Sequence, residues 1–154
     1  SKKSTTAPAA AGSFSPRTAG VLTVGTELPA PPFFIGDDYK SLNGGLEYDL
    51  AHDIAKELGL ARTSIVEMPF AGLVAGQACP CDIDLSQVTI SAERAKAVDF
   101  TTPYFDSDQG VLMKKGKTLK TLADAKAIQW GAQVDTTGLI FIDNKIKPAK
   151  TSQV

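Results

Sequence analysis

The sequence predicts an α/β fold built on an open, mainly parallel sheet, and three observations carry that prediction. Short β-branched runs at 21–26, 63–68 and 85–90 have the length of strands. The segments between them have helical spacing or helix-start chemistry, clearest where Leu50, Ile54 and Leu58 recur every four residues. The resulting order of strand, helix, strand, helix, strand, helix implies parallel strands joined by right-handed crossovers.

Composition narrows the function classes. The 154 residues are 43% hydrophobic and 21% charged, with a formal net charge of -1, enough for one domain, or one domain and a piece of another. With acids interspersed along the chain and a net charge near zero, no basic stripe dominates, which argues against a nucleic-acid partner. No apolar run reaches the length of a bilayer span, and no charged-then-apolar leader opens the chain. A start at Ser1 is expected of a processed or recombinant terminus. Residues 1–18, rich in Ser, Thr, Ala, Pro and Gly with Lys2, Lys3, Phe14 and Arg17, read as a flexible tether.

Along the chain, a first buried strand at 21–26 runs into a Pro-rich loop at 28–34 that can continue neither helix nor sheet. Loops at the carboxyl ends of strands in open α/β sheets hold ligands, which makes Glu27, Phe33 and Phe34 candidates; the alternative is that both phenylalanines cap the core. Asn43, Gly44 and Gly45 mark a tight reversal. A helix follows at 48–58, its apolar stripe formed by Leu50, Ile54 and Leu58 beside Ala51 and Ala55, and Gly59 ends it. His52, the single histidine, falls on an outer face and is expected to be solvated. A second strand at 63–68 is closed by Pro69, with Phe70 at its carboxyl end and a short helix at 73–77 behind it.

Cys79 and Cys81 flank Pro80 just before the next strand. The spacing is tight for a framework disulfide, and two thiols alone make a poor zinc site, so no metal is assigned. A local disulfide and a pair of free thiols both remain open, with secretion favouring oxidation.

The stretch 84–103, D-L-S-Q-V-T-I-S-A-E-R-A-K-A-V-D-F-T-T-P, carries the chemistry. Residues 85–90 read as a covered strand running into a helix capped by Ser91, with Arg94 in the first turn. A cation there opposes the helix dipole, and Glu93 only partly offsets the cost. Together with Thr89 and the N–H groups of a helix start, however, Arg94 suits a carboxylate. The stretch is therefore an anion-recognition candidate, against the structural alternative that Arg94 pairs with Asp99 or Glu93.

Beyond Pro103 the pattern changes. Residues 104–110 are polar and irregular, 111–113 read as a short strand, and Lys114, Lys115 and Gly116 form a charged turn where the chain passes to another unit. A helix at 121–127, a strand at 128–134 and a helix capped by Thr136 or Thr137 begin a second α/β unit, too small for a core of its own and ending in polar residues.

Five colinear blocks, 21–26, GLEYDLA at 45–51, 82–94, VDFTTPY at 98–104 and the run 121–138, resemble the family-3 extracellular solute-binding proteins of amino-acid ABC transporters. The resemblance covers 20 to about 142 and implies a type II periplasmic-binding fold, two lobes with helices on both faces of each sheet. It implies residues 19–108 as most of lobe 1, 109–113 as the crossover and 114–154 as the start of lobe 2. Arg94 and Thr89 match the residues that hold a ligand's α-carboxylate, and arginine's planar fork fits that task. Gln87 matches a position offering its carbonyl to the ligand amine, Phe70 a pocket wall, and Glu27 an acid after the first strand. Thr136 and Thr137 match the residues that close over the carboxylate from the second lobe.

The chain departs from the family pattern in places. Ala30 stands where an aromatic usually stacks, leaving that wall to Phe33 or Phe70. Gln87 replaces a smaller residue, and Asp135 replaces a glycine. Family members continue further and carry an amine-binding acid late in the second lobe, so a truncated, cleaved or part-length member is expected. Its implied partners are a free amino acid and a membrane permease, with no cofactor and no catalytic residue, and its place is extracellular or periplasmic, tethered by a lipidated N-terminus outside this chain. An unfinished sheet edge would favour self-association. The same fold also serves dehydratases, lytic transglycosylases and sensor ectodomains, and for an enzyme Glu27 is the acid at the mouth.

Overall fold

The computed structural model describes residues 14–153, so residues 1–13 of the expected tether lie outside the described residues. Packing divides the chain into two units. One holds the described residues up to Pro69 together with Ala78–Gln87, and the other holds Phe70–Gln77 and those from Val88 onward.

The first unit is a three-stranded parallel sheet with one long helix. Strand β1 (Val21–Thr26) lies between β2 (Arg62–Glu67) and β3 (Ile83–Asp84). Its register runs from Val21 opposite Arg62 to Thr26 opposite Glu67, and pairs Val24 with Ile83 and Gly25 with Asp84. Every residue of β1 is buried, as its β-branched sequence and central place require, whereas β2 is exposed at both ends. Helix α1 (Leu46–Glu57) packs on the sheet, and the core joins Leu22, Val24, Phe34, Ala51, Ala55 and Leu85. Burying Leu22, Val24 or Phe34 fully contributes about 1.5–3 kcal/mol each.

Local chemistry sets the helix ends. Gly45 precedes α1 at φ 117°, and a Cβ there would lie 2.2 Å from the Phe33 carbonyl oxygen, so only glycine lets the loop close onto the helix. Glu47 and Asp49 in the first turn and Lys56 in the last favour the dipole. At the other end Leu60 N–H donates to Ala55 and Gly59 N–H to Lys56, a Schellman stop around Gly59. The expected reversal is present, with Ile35 and Gly44 bridged.

Three expectations for this part need correction. The buried stripe of α1 is Glu47, Ala51 and Ala55; Leu50 and Ile54 are only partly covered, and Leu58 is 40% exposed. The expected strand at 85–90 is instead the two-residue β3, because Gln87 takes φ 50°, a left-handed conformation that no strand sustains. The helix expected at 73–77 runs from Phe70 to Val74, so Phe70 sits in its first turn. Gly76 at φ 72°, with Gln77 N–H on the Gly72 carbonyl, ends α2 before Gln77.

The second unit contains α2 (Phe70–Val74), a 3₁₀ turn (Arg94–Lys96), α3 (Leu122–Ala127), β4 (Trp130–Ala132), α4 (Thr137–Phe141), a π-type turn (Ile142–Ile146) and β5 (Thr151–Gln153). The helix expected after Ser91 is that single 3₁₀ turn: Ser91 Oγ accepts Arg94 N–H at 3.2 Å, but regular bonding stops at Val98. No strand forms at 111–113, where Leu112 is fully exposed. Thr121 caps α3 through a reciprocal capping box with Asp124. The last strand, β5, was not expected from its polar sequence, yet it pairs in parallel with β4, and Ala125, Ile142 and Ile146 form a small core. Trp130 Nε1 closes that core by donating to the Ala125 carbonyl at 2.7 Å.

Asp84, on the interior face of β3, has both carboxylate oxygens buried and outside any hydrogen bond. Burial pushes its pKa up to about 7, the charge of Glu47 adding to the rise and the Ser86 hydroxyl opposing it from outside hydrogen-bond geometry. Between an ordinary 3.8 and about 7 the folded chain therefore holds a proton that the unfolded chain has lost, and stability falls as pH rises across that window. Urea unfolding from pH 4 to 8 is expected to show a loss of about 2–4 kcal/mol in the wild type. Asp84→Asn should lack that slope and be the more stable protein above pH 7.

Candidate functional site

Arg94 is the most constrained charged side chain of the second unit, only 7% exposed. Its Nη1 donates to the Thr89 carbonyl at 2.9 Å and its Nη2 to the Asp135 carbonyl at 2.8 Å. The guanidinium carbon stands 5.3 Å from the centre of the Phe70 ring, a cation–π distance. The ion pair among the described residues is Lys96 with Glu93, so the acid beside Arg94 in sequence is engaged elsewhere. Burial lowers the Arg94 pKa, with the charge of Asp135 acting against that shift. The arrangement orients a guanidinium with neutral carbonyls and an aromatic face while leaving N–H donors of its fork unspent, a geometry suited to a planar anion.

The other candidates of this unit surround the same chemistry in different ways. Thr89 contributes its carbonyl to Arg94, and its side chain is exposed. Asp135 adopts φ 61°, which turns its carbonyl to the guanidinium. Thr136 Oγ1 accepts Leu139 N–H at 3.2 Å and donates to the Gln133 carbonyl at 2.8 Å, so this hydroxyl is occupied in capping α4. Thr137 Oγ1 accepts from Gln109 Nε2 at 3.2 Å.

In the first unit, Gln87 is held by a residue that the hydrophobic pattern concealed. Glu47 is completely buried at the head of α1. Its Oε1 accepts Gln87 N–H at 2.9 Å, and its Oε2 accepts the Gln87 side-chain amide. The available signal was positional: Glu47 precedes Ala51 and Ala55 by one and two helical repeats and shares their face. Glu27 follows β1 and is half-buried. Phe33 packs partly on the core, and its carbonyl receives Glu47 N–H and Tyr48 N–H, while Phe34 is wholly interior.

Two other features fall outside this chemistry. His52 is exposed, with Nδ1 2.9 Å from the Tyr48 carbonyl and its ring 4.4 Å from that of Tyr48. It borders an open hollow of about 480 Å³ with Lys56, Leu60 and Arg62, at the amino end of β2 and so away from the strand ends where α/β sheets take ligands. Cys79 and Cys81 form a disulfide.

Comparison with known proteins shows the family to which the chain belongs. The profile of the bacterial extracellular solute-binding proteins, family 3, matches residues 22–150, and the chain belongs to that family. The L-cystine-binding protein TcyJ of Escherichia coli K12 is 40% identical over 121 residues, 76% of this chain and 44% of that protein. An ancestral arginine-binding protein bound to glutamine superposes with a TM-score of 0.77 at 35% identity, over 90% of this chain and 61% of that one. The ancestral amino-acid-binding protein AncCDT-1, a precursor of cyclohexadienyl dehydratase, gives 0.78 at 31% identity over 88% and 61%. The fold is therefore that of the type II periplasmic binding proteins, and the chain spans about half the length of the curated relatives it matches.

Removing the buried acid tests how far it organises the first unit. Glu47→Ala deletes the buried acceptor of two part-buried Gln87 hydrogen bonds. Chemical denaturation should report a loss of about 2–4 kcal/mol, well above the small change expected of the exposed neighbour Asp49→Ala.

Proposed function

We propose that the chain is part of an extracellular binding protein that captures a free amino acid, or a similar α-carboxylate solute, for an ABC transporter permease. The observation that carries this reading is the buried Arg94 fork, oriented by two carbonyls and the Phe70 ring, with no carboxylate partner among the described residues. Arg94 takes the ligand carboxylate, with the Thr89 hydroxyl beside it and Phe70 as the wall. The family resemblance assigns Thr136 and Thr137 to the same carboxylate, with the Thr136 hydroxyl having to leave its capping bonds to reach it. The family resemblance adds Glu27, Phe33 and the Gln87 carbonyl as candidates for recognition of the ligand amine and side chain. Relatives described as binding cystine, arginine and histidine support an amino acid as the solute class.

The reading takes residues 19–108 as most of a first lobe, 109–113 as a crossover and 114–154 as the start of a second, consistent with a family match that runs to residue 150. It places the protein outside the cytoplasm, supported by its membership of a family of extracellular proteins, and adds a lipid tether upstream of residue 1. The exposed apolar side chains of Tyr104, Phe105, Val111 and Leu112 support self-association of the isolated chain. The chain binds rather than transforms its ligand, in keeping with relatives described as binding proteins.

Calorimetry against a panel of free amino acids, with cystine, arginine, histidine, lysine and glutamine included, should find a ligand that is recovered unchanged. Arg94→Ala should weaken its binding by about 3–5 kcal/mol, since a buried carboxylate would lose its counter-charge. Arg94→Lys keeps the charge but not the fork and should recover only part of the loss. Equal affinity in wild type and Arg94→Ala would reject the site.

A further inference from the structure

The first unit contains a second cluster of reactive groups that ligand binding does not use. Cys79 and Cys81 sit in the loop leading into β3, and their sulfurs and an Asp84 carboxylate oxygen all lie within 4.8 Å of one another. The loop is fixed in place: Asp82 N–H donates to the Thr23 carbonyl at 2.8 Å, its Oδ2 accepts Thr23 N–H at 2.8 Å, and its Oδ1 accepts Arg17 N–H at 2.7 Å. Across the ladder from Asp84 stands Gly25. A Cβ there would fall 2.7 Å from Asp84 Oδ2, 3.0 Å from the Cys81 sulfur and 3.1 Å from the Cys79 sulfur. Glycine at this position is what allows carboxyl and disulfide to share one space.

Two facts call for a role beyond architecture. The disulfide closes a loop with a sequence separation of 2, so it removes little chain entropy from the unfolded state and contributes little as a staple. Asp84, for its part, has both oxygens buried and outside any hydrogen bond, a costly arrangement that folding alone does not explain. The charged group acting on it from α1 is Glu47, and Ser86 faces it from its own segment.

We propose that Cys79, Cys81 and Asp84 form a thiol–disulfide exchange centre that accepts electrons from a dithiol, with the Asp84 carboxyl as its internal proton donor. A thiolate of the dithiol attacks the half-buried Cys79 sulfur, forming a mixed disulfide and breaking the Cys79–Cys81 bond. The electron pair leaves on the Cys81 sulfur, which takes the proton from Asp84. The second thiol of the dithiol then attacks the mixed disulfide and Cys79 leaves, protonated from solvent, while Asp84 recovers the proton shed by the first thiol. The protein disulfide is reduced by two electrons and the dithiol is oxidised to a disulfide. Because burial holds Asp84 at about 7, it carries the required proton below neutrality and lacks it above.

The test is the rate of reduction of the whole chain by dithiothreitol, followed by alkylation and mass measurement across the pH range, in wild type and Asp84→Asn. Divided by the fraction of reagent present as thiolate, the wild-type rate is expected to fall as pH rises through about 7. Asp84→Asn should be slower by about tenfold in acid and converge with wild type in mild alkali. Superimposed profiles for the two proteins would overturn the proposal. Should the variant not fold, a wild-type rate per thiolate that stays flat across neutrality would overturn it equally.

Discussion

Much of the first unit depends on one buried carboxylate. Glu47 has no exposed surface, and an acid in that position is tolerated only when its oxygens are supplied with donors. Gln87 supplies two, one from its main chain and one from its side chain. Leu85 N–H still joins the ladder, bonding the Gly25 carbonyl at 3.0 Å. Two residues later the equivalent donor points to α1 instead, and the backbone has to enter a left-handed conformation to present it. The third strand ends for that reason, and the chain enters the second unit directly behind a residue tied to the first.

The elements legible in the sequence were those specified by their own residues. Val21 to Thr26 is mostly β-branched and buried throughout, so its strand needed no partner to be recognised. Helix α1 and its stop at Gly59 follow from spacing and cap chemistry within fifteen residues. Residues 85–90 misled because Leu85, Val88 and Ile90 have strand composition, while the tie from Gln87 to Glu47 spans 40 residues. β5 was missed because Thr151, Ser152 and Gln153 pair at the edge of a two-stranded sheet, where apolar side chains are not required. Among the candidate site residues, Arg94 was legible as a misplaced cation, but its anchor on the Asp135 carbonyl, 41 residues away, was not. Glu47 and Asp84 escaped notice for a common reason: both are acids at interior positions, where a hydrophobic pattern registers them as solvent-facing.

The two buried charges most prominent in the chain are each satisfied by neutral groups. Glu47 is held by amide donors and Arg94 by carbonyl acceptors. Neutral partners fix a charged side chain in direction and supply hydrogen bonds, but they do not cancel its charge. For Glu47 both oxygens receive donors and the result is architectural. For Arg94 the two contacts take only part of a five-donor fork, and its burial still lowers the pKa.

On the proposed function, that residual imbalance is what would set a binding arginine apart from a structural one. A guanidinium already paired with a carboxylate would exchange one ion pair for another on meeting a ligand, and the net gain would be small. A guanidinium oriented by carbonyls and covered by an aromatic face has met much of the cost of burial during folding, and beyond the charge of Asp135 acting on it, it holds no carboxylate in an ion pair among the described residues. An incoming carboxylate then gains a charge-assisted, bidentate interaction without displacing an existing acid. Lys96 strengthens the distinction by holding Glu93, the nearest acid in sequence, on the exposed side of the same turn. On the proposed function, affinity at such a site would come from pre-organisation, and the carbonyls of Thr89 and Asp135 would belong to the recognition chemistry as much as the arginine they position.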